Sequence, residues 1–256
     1  MSDRLSRLGY LPILLVVYAI LLMPVVIVVL TSLTPASRPT IPYDGISLEW
    51  YVELFQNPRI FDAIVSSVIV AVSASILSGI IGTATAFGIV RSDLEYKETI
   101  ATVLLLPIMI SPVIIGVAIL RFGTDVGLTR GYLLTIIAHT VLTFPFVFLI
   151  VRARLLTFDD RLEDASRTLG ANGLETTFNV TLPILSPAVF AGMLLAFVIS
   201  FGEFTATQFL DSATSTTVPI YIYDQIQTGL SPEVSALATV LVVVMIVAGF
   251  IGDLVT

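Results

Sequence analysis

Asp160-Arg-Leu-Glu-Asp-Ala-Ser-Arg-Thr-Leu-Gly170, continued by Ala-Asn-Gly-Leu-Glu-Thr-Thr-Phe-Asn-Val180-Thr-Leu-Pro183, is a polar island between two strongly apolar stretches. Its spacing predicts a short capped helix. Asp160 is placed to accept from the amide of Glu163 while the Glu163 side chain reaches back, the reciprocal arrangement of a capping box. Leu162, Ala165, Ser166 and Leu169 make one modest apolar face. Arg167 falls in the last turn, where a cation complements the helix dipole, and Gly170 supplies the left-handed residue that ends such helices. A second helical stretch is expected to begin at Asn172 and to stop before Pro183. So short a helix is marginal alone in water and needs tertiary contacts. Small residues at 165 and 166 let another surface come close. A helix lying on lipid headgroups is the competing reading, but its acids and lack of lysine suit anionic lipid poorly. The island reads as a docking site for a soluble partner.

Outward from the island the chain turns apolar. Hydrophobic residues make up 56% of the 256 and charged residues 12%, with a mean hydropathy of +1.01; a soluble domain carries roughly a quarter charged residues. There are no cysteines, which excludes disulfides, thiolate metal sites and cysteine nucleophiles. The formal charge of −7 argues against nucleic-acid binding. Lys97 is the one lysine beside nineteen acidic residues.

A helix needs about 20 apolar residues to cross a hydrocarbon core. Six stretches are expected to span: Leu8–Leu30, Ala63–Val90, Ile100–Leu120, Leu133–Val151, Pro187–Leu210 and Val234–Val255. The first is too long for the apolar region of a signal peptide and lacks a small-residue cleavage site, so it reads as a retained span. Each must be helical, because unpaired backbone groups cannot face lipid. The expected fold is therefore an all-α, multi-pass integral membrane protein, one transmembrane domain over residues 1–256. With the N-terminus inside, Arg4, Arg7, Arg91, Lys97, Arg152, Arg154, Arg161 and Arg167 lie inside and Arg38, Arg59, Arg121 and Arg130 outside. That bias predicts both termini inside and residues 152–186 as a cytoplasmic loop.

Within the spans, Ser75, Gly79, Gly82, Thr83 and Ala86 put small residues on one face, as tight helix packing in lipid requires. Pro107, Pro112 and Pro145 each remove a donor and are expected to bend their helices. Glu203, toward the outer end of the fifth span, is the leading candidate for a substrate path, because an ionisable group at membrane depth faces a cavity or pairs between helices. Thr205, Thr207 and Gln208 add polar surface beside it. His139 is the single histidine; interhelical hydrogen bonding is its favoured role, with no obvious serine companion. The outer stretch Val218–Leu230 is expected as a short interfacial helix with Tyr221 and Tyr223 as belt residues.

The chain has no phosphate-binding loop, since no glycine stands immediately before Lys97. A membrane enzyme would need a second group matched in depth to Glu203, and the other spanning acid, Asp253, sits at the opposite end. An ion-coupled secondary transporter would need several intramembrane ionisable groups, often with inverted repeats. Neither pattern is present. An energised transporter built from this chain borrows its hydrolysis.

Asp164-Ala165-Ser166, then three residues, Gly170, nine residues, Val180, one residue and Leu182-Pro183 resembles the cytoplasmic loop of binding-protein-dependent ABC transporter permeases. Their pattern is Glu-Ala-Ala, three residues, Gly, nine residues, Ile, one residue, Leu-Pro. Asp164, Ser166 and Val180 are the mild departures. The resemblance implies a type I importer permease in a prokaryotic cell membrane. It implies an ATPase-coupling set of Glu163, Asp164, Ala165, Ser166, Leu169, Gly170, Val180, Leu182 and Pro183. The implied partners are a dimer of ATPase subunits that bind the ATP and magnesium, a second permease (identical or different, a different one being favoured), an extracytoplasmic substrate-binding protein and membrane lipid. No cofactor is expected in this chain. Trp50-Tyr51, His139 with Pro145-Phe146, and Ser231-Pro232-Glu233 before Ala236-Leu237-Ala238-Thr239 resemble the spermidine/putrescine branch. Ser200-Phe-Gly-Glu203-Phe-Thr-Ala-Thr-Gln-Phe-Leu210 is similar also to permeases for thiamine, ferric iron and molybdate or sulfate, so the cargo stays open.

Overall fold

The computed structural model describes residues 2–36, 45–229 and 231–255, with side chains from 12 to 244 and at 246, outside 37–44 and 230. Arg38 and Leu230 therefore lie outside the described residues, as do the side chains of Arg4, Arg7 and Asp253. Regular structure among the described residues is helical throughout. In chain order the helices are α1 (Ser2–Ser32), α2 (Glu49–Gln56), α3 (Pro58–Val90), α4 (Lys97–Leu104), α5 (Leu106–Met109), α6 (Pro112–Asp125) and α7 (Tyr132–Leu156). There follow α8 (Arg161–Thr168), α9 (Gly173–Thr176), a π-helical turn (Thr177–Thr181), α10 (Leu182–Phe201), α11 (Thr207–Leu210), α12 (Val218–Thr228) and α13 (Pro232–Val255). They form two compact units, one of Met1–Phe61 with Tyr221–Thr256 and one of Asp62–Ile220.

Among the described residues, four helical stretches are long and apolar enough to cross a membrane: Pro12–Ser32, Pro58–Val90, Tyr132–Leu156 and Gly173–Phe201. The 24-residue α13 covers the expected sixth span Val234–Val255, and its stretch with described side chains, Pro232–Val244, is apolar. The expected third span is not one helix. Leu105 closes α4, and Ile110 and Ser111 are extended with ψ of 133° and 134° before α6 begins at Pro112. Pro107 and Pro112 thus start new helices, where a missing N–H costs nothing, instead of bending one. The expected fifth span also divides, because α10 ends at Phe201 and a non-helical link carries Glu203 into α11. Pro145 leaves α7 unbroken.

In the first unit, α1 and α13 run side by side and α13 also meets α2. Thr31 Oγ1 donates to Ser235 Oγ at 3.1 Å, Asn57 Nδ2 to Glu233 Oε1 at 2.8 Å, and Trp50 Nε1 to the Thr34 carbonyl at 2.7 Å. The short amphipathic α2 carries no long apolar run, so span-counting passes over it. α12 forms where an interfacial helix was expected. Tyr221 in it is buried and Tyr223 exposed. Burial and the Glu233 carboxylate push the Tyr221 phenol above its ordinary range, against hydrogen bonds from Asn57 and Gln225.

The second unit is built around α7, whose Val147, Phe148 and Val151 are fully buried. The small face of α3 lies against it. A Cβ on Gly82 would stand 2.9 Å from both Phe148 N and Val147 Cβ, so only glycine permits this approach. Ser75 Oγ donates to the Met193 carbonyl of α10 at 2.6 Å. Ala86, Ile89, Ala101, Leu155, Leu185 and Ala196 complete this core.

Candidate functional site

Helix α8 follows α7 after a short link, and its N-terminal end is fixed differently from the sequence expectation. Asp160 makes no side-chain cap, and the expected box with Glu163 does not form. Both carboxylates turn instead to Arg91, just past the end of α3: Nη1 lies 2.7 Å from Asp160 Oδ1 and Nη2 lies 2.7 Å from Glu163 Oε1. In these pairs both partners are charged, whereas a cap would set each carboxylate against a neutral amide. At the other end, Gly170 takes φ +97°. Its amide donates to the Arg167 carbonyl at 3.0 Å and that of Ala171 to the Ser166 carbonyl at 3.2 Å. These are the two bonds of a Schellman ending, as Gly170 implied.

The capping box stands one helix later. Asn172 Oδ1 accepts from Glu175 N at 2.9 Å, and Glu175 Oε2 accepts from Asn172 N at 2.8 Å. Asn-x-x-Glu was as legible as Asp-x-x-Glu; what distinguishes them is that Arg91 stands beside the first. The helix from Asn172 does not stop before Pro183. It widens into the π turn, where Leu182 N bonds the Thr177 carbonyl, and continues as α10. The wider turn gives the Pro183 ring room beside the preceding carbonyls.

Glu163 is the buried member of the expected coupling set, at 11% side-chain exposure. Asp164, Ala165, Leu169, Gly170 and Pro183 are exposed; Ser166, Val180 and Leu182 are partly so. Leu162 is 45% exposed, Leu169 90%, Leu174 73% and Phe178 64%, so α8 and α9 with the π turn present apolar side chains outward among polar ones. Behind them an open hollow is lined by Phe87, Gly88, Arg91, Ser92, Asp164 and Thr177. On the same unit, Arg152 Nη2 lies 2.9 and 2.6 Å from the two Glu98 oxygens, tying α7 to α4.

The substrate-path candidates lie in the α10–α11 link (Glu203, Thr205) and the start of α11 (Thr207, Gln208). Glu203 is partly exposed, and its Oε1 accepts from the Ala206 amide at 2.7 Å, supporting the start of α11. Thr207 is fully buried, while Gln208 is exposed and donates to the Thr205 carbonyl at 3.1 Å. His139 has the serine companion that the sequence did not reveal. Its Nδ1 lies 2.7 Å from Ser200 Oγ and its Nε2 2.8 Å from Thr207 Oγ1, both contacts buried. His139 thus joins α7 to both sides of the link. Thr143 Oγ1 donates to the His139 carbonyl at 2.7 Å and shares a hydrogen bond with Ser78 of α3 at 2.7 Å.

An all-helical chain with membrane-crossing helices, a polar break at the end of one of them and a capped helix pair turned outward has the make-up of a transporter permease. The chain belongs to the family described as binding-protein-dependent transport system inner membrane component, whose model matches residues 96–256. It is accordingly an inner-membrane permease subunit of the ABC importer type, without catalysis of its own. It is 31% identical to the spermidine/putrescine transport system permease protein PotC of Haemophilus influenzae, over 94% of this chain and 93% of that one. To the Escherichia coli putrescine transport system permease protein PotI it is 29% identical, over 94% and 88%. Among solved structures, a chain of a bacterial ABC transporter involved in the import of the acidic polysaccharide alginate superposes with a TM-score of 0.75 at 16% identity, covering 100% of this chain and 98% of that one.

Proposed function

We propose that this chain is one permease subunit of an ATP-driven importer of polyamines, spermidine or putrescine. The observation that carries the cargo is the similarity to polyamine permeases along nearly the whole chain. The drive enters through α8 and α9. Asp164, Ala165, Ser166, Leu169, Gly170, Val180, Leu182 and Pro183 form the surface that meets a separate ATPase, with Glu163 holding it from behind. This surface faces the cytoplasm, with both termini on the same side. Two ATPase subunits bind ATP and magnesium, a second and different permease completes the path, and an external binding protein delivers the cargo. Closure of the ATPases draws on the two inner loops and rocks the helices between inward and outward access.

Glu203, with Thr205 and Gln208, lines the cargo's path, while Thr207, expected beside them, is fully buried against His139 and serves to hold the link. A carboxylate pairs directly with an ammonium group and repels an oxyanion, which favours polyamine over molybdate or sulfate. A second reading keeps the architecture and changes the cargo: the chain is 33% identical to the molybdenum transport system permease protein ModB of Haemophilus influenzae, over 68% of this chain and 83% of that one. The test is purification of the chain with its neighbours from detergent, then binding of spermidine, putrescine, thiamine, ferric iron and molybdate to the co-purified binding protein. Capture of an ATPase and selective polyamine binding are expected. Capture with selective molybdate binding shifts the cargo to the second reading. Glu203→Gln keeps an acceptor for the Ala206 amide but removes the charge. Spermidine uptake is expected to fall about tenfold with an unchanged melting temperature, the size of one lost ion pair in a dry path; unchanged uptake removes Glu203 from it.

A further inference from the structure

Glu163 Oε1 takes two donors from two different elements. Arg91 Nη2, at the end of α3, lies at 2.7 Å, and Thr181 Oγ1, in the π turn that leads into α10, donates at 2.7 Å. Thr181 is fully buried, and Glu163 Oε2 faces Arg167 at 3.7 Å. Arg91 reaches Asp160 with its other nitrogen and lies over the Phe158 ring at 5.7 Å. One shielded carboxylate therefore ties α8, α3 and α10 together.

Such a knot is stiff. A planar guanidinium gripping two carboxylates fixes orientation as well as distance. Pulling α8 away from α3 and α10 would break the two charge-assisted bonds at Glu163 and the Asp160 bond to Arg91 together. A displaced α8 thus moves α3 and α10 before the knot opens. The α3 helix has 33 residues, about 50 Å at 1.5 Å per residue. Its Gly82 and Ser75 lie directly against α7 and α10, so displacement at Arg91 reaches the centre of the unit.

We propose that the Arg91–Glu163–Thr181 cluster is the mechanical link that carries displacement of α8 into α3 and α10, with Arg91 as its positioning residue. The inference rests on the docking role proposed above for α8. Arg91 lies behind the outward face, so its loss should spare docking and spoil transmission.

The test uses the whole assembly, the ATPase, both permeases and the binding protein, in proteoliposomes with radiolabelled spermidine. ATPase capture, ATP hydrolysis and uptake are measured together. Arg91→Gln is expected to capture the ATPase like wild type while spermidine moved per ATP falls about fivefold to tenfold. Arg91→Lys, which keeps the charge but not the fork, should recover part of the ratio. An unchanged ratio in Arg91→Gln overturns the inference, and so does loss of capture in parallel with uptake, which would mark Arg91 as a docking or folding residue. If Arg91→Gln does not assemble, Thr181→Val decides, since it removes one donor and leaves the ion pairs; a wild-type ratio there overturns the link. A wild-type assembly that captures no ATPase overturns the proposed function, and this inference with it.

Discussion

His139 illustrates how much one residue's environment adds to its identity. Its place inside an apolar stretch already favoured an interhelical hydrogen bond over a metal site. That the partners are Ser200 and Thr207 was not legible, because they are 61 and 68 residues away in sequence and flank a helix break that hydropathy does not register. His139→Leu would leave the buried Ser200 hydroxyl without its histidine partner and take one bond from the Thr207 hydroxyl, which still donates to the Glu203 carbonyl at 2.9 Å. Destabilisation by about 1–2 kcal/mol is expected, since interhelical hydrogen bonds in membrane proteins are individually modest. Thermal unfolding in detergent checks it, with Thr85→Val as the comparison, because Thr85 bonds the Ile81 carbonyl of its own helix. Equal melting points would mean that the His139 contacts contribute nothing to stability. Glu203 carries the complementary lesson. Its charge was visible in the sequence, but its bond to the Ala206 amide was not, and that bond fixes where the charge is presented.

At the scale of elements, glycine positions separate packing from capping. Gly82→Ala places a methyl against the α7 backbone and is expected to destabilise by about 1–3 kcal/mol, as overpacking does. Gly88→Ala on the same helix meets nothing within 4 Å and should be neutral or stabilising by about 0.5–1 kcal/mol through helix propensity. Matched melts of the two variants decide; a similar loss in both would refute the close-approach reading. Gly170→Ala forces a methyl into a left-handed backbone, which costs about 1–2 kcal/mol. The ending of α8 should fray, and ATPase capture fall, without a change in the melting of the bundle. The sequence foresaw the Gly170 turn because a helix ending is local. It misjudged the third span because apolar content does not tell whether a proline bends a helix or begins one; here Ile110 and Ser111 are extended, which settles the break. It misjudged the fifth because the apolar run continues past Phe201, where the helix ends. The capping box was assigned to Asp160 because nothing local marks Arg91, 69 residues earlier, as its neighbour.

For the molecule as a whole, the absence of cysteine makes orientation directly measurable. Thr168→Cys, at an exposed position of α8, should leave intact cells inert to a membrane-impermeant maleimide and react after lysis. Ala213→Cys, exposed in the link between α11 and α12, should react from outside. The reverse pattern would invert the proposed topology. What the sequence determined alone was whatever depends on composition and near neighbours. Apolar runs demanded helices because lipid offers the backbone no partner. The island at 160–183, with turn and cap signals but no chemistry, pointed to a docking surface, and the spacing of Asp164, Gly170 and Pro183 pointed to the family. Tertiary structure alone decided which groups meet. It gave Glu163 to Arg91 and Thr181 rather than to its own helix end, and His139 to Ser200 and Thr207, and it let Gly82 bring two backbones together. Those pairings depend on how distant helices are juxtaposed, and the energy of a buried charge or hydroxyl is set by the partner that arrives, not by its neighbours in the chain.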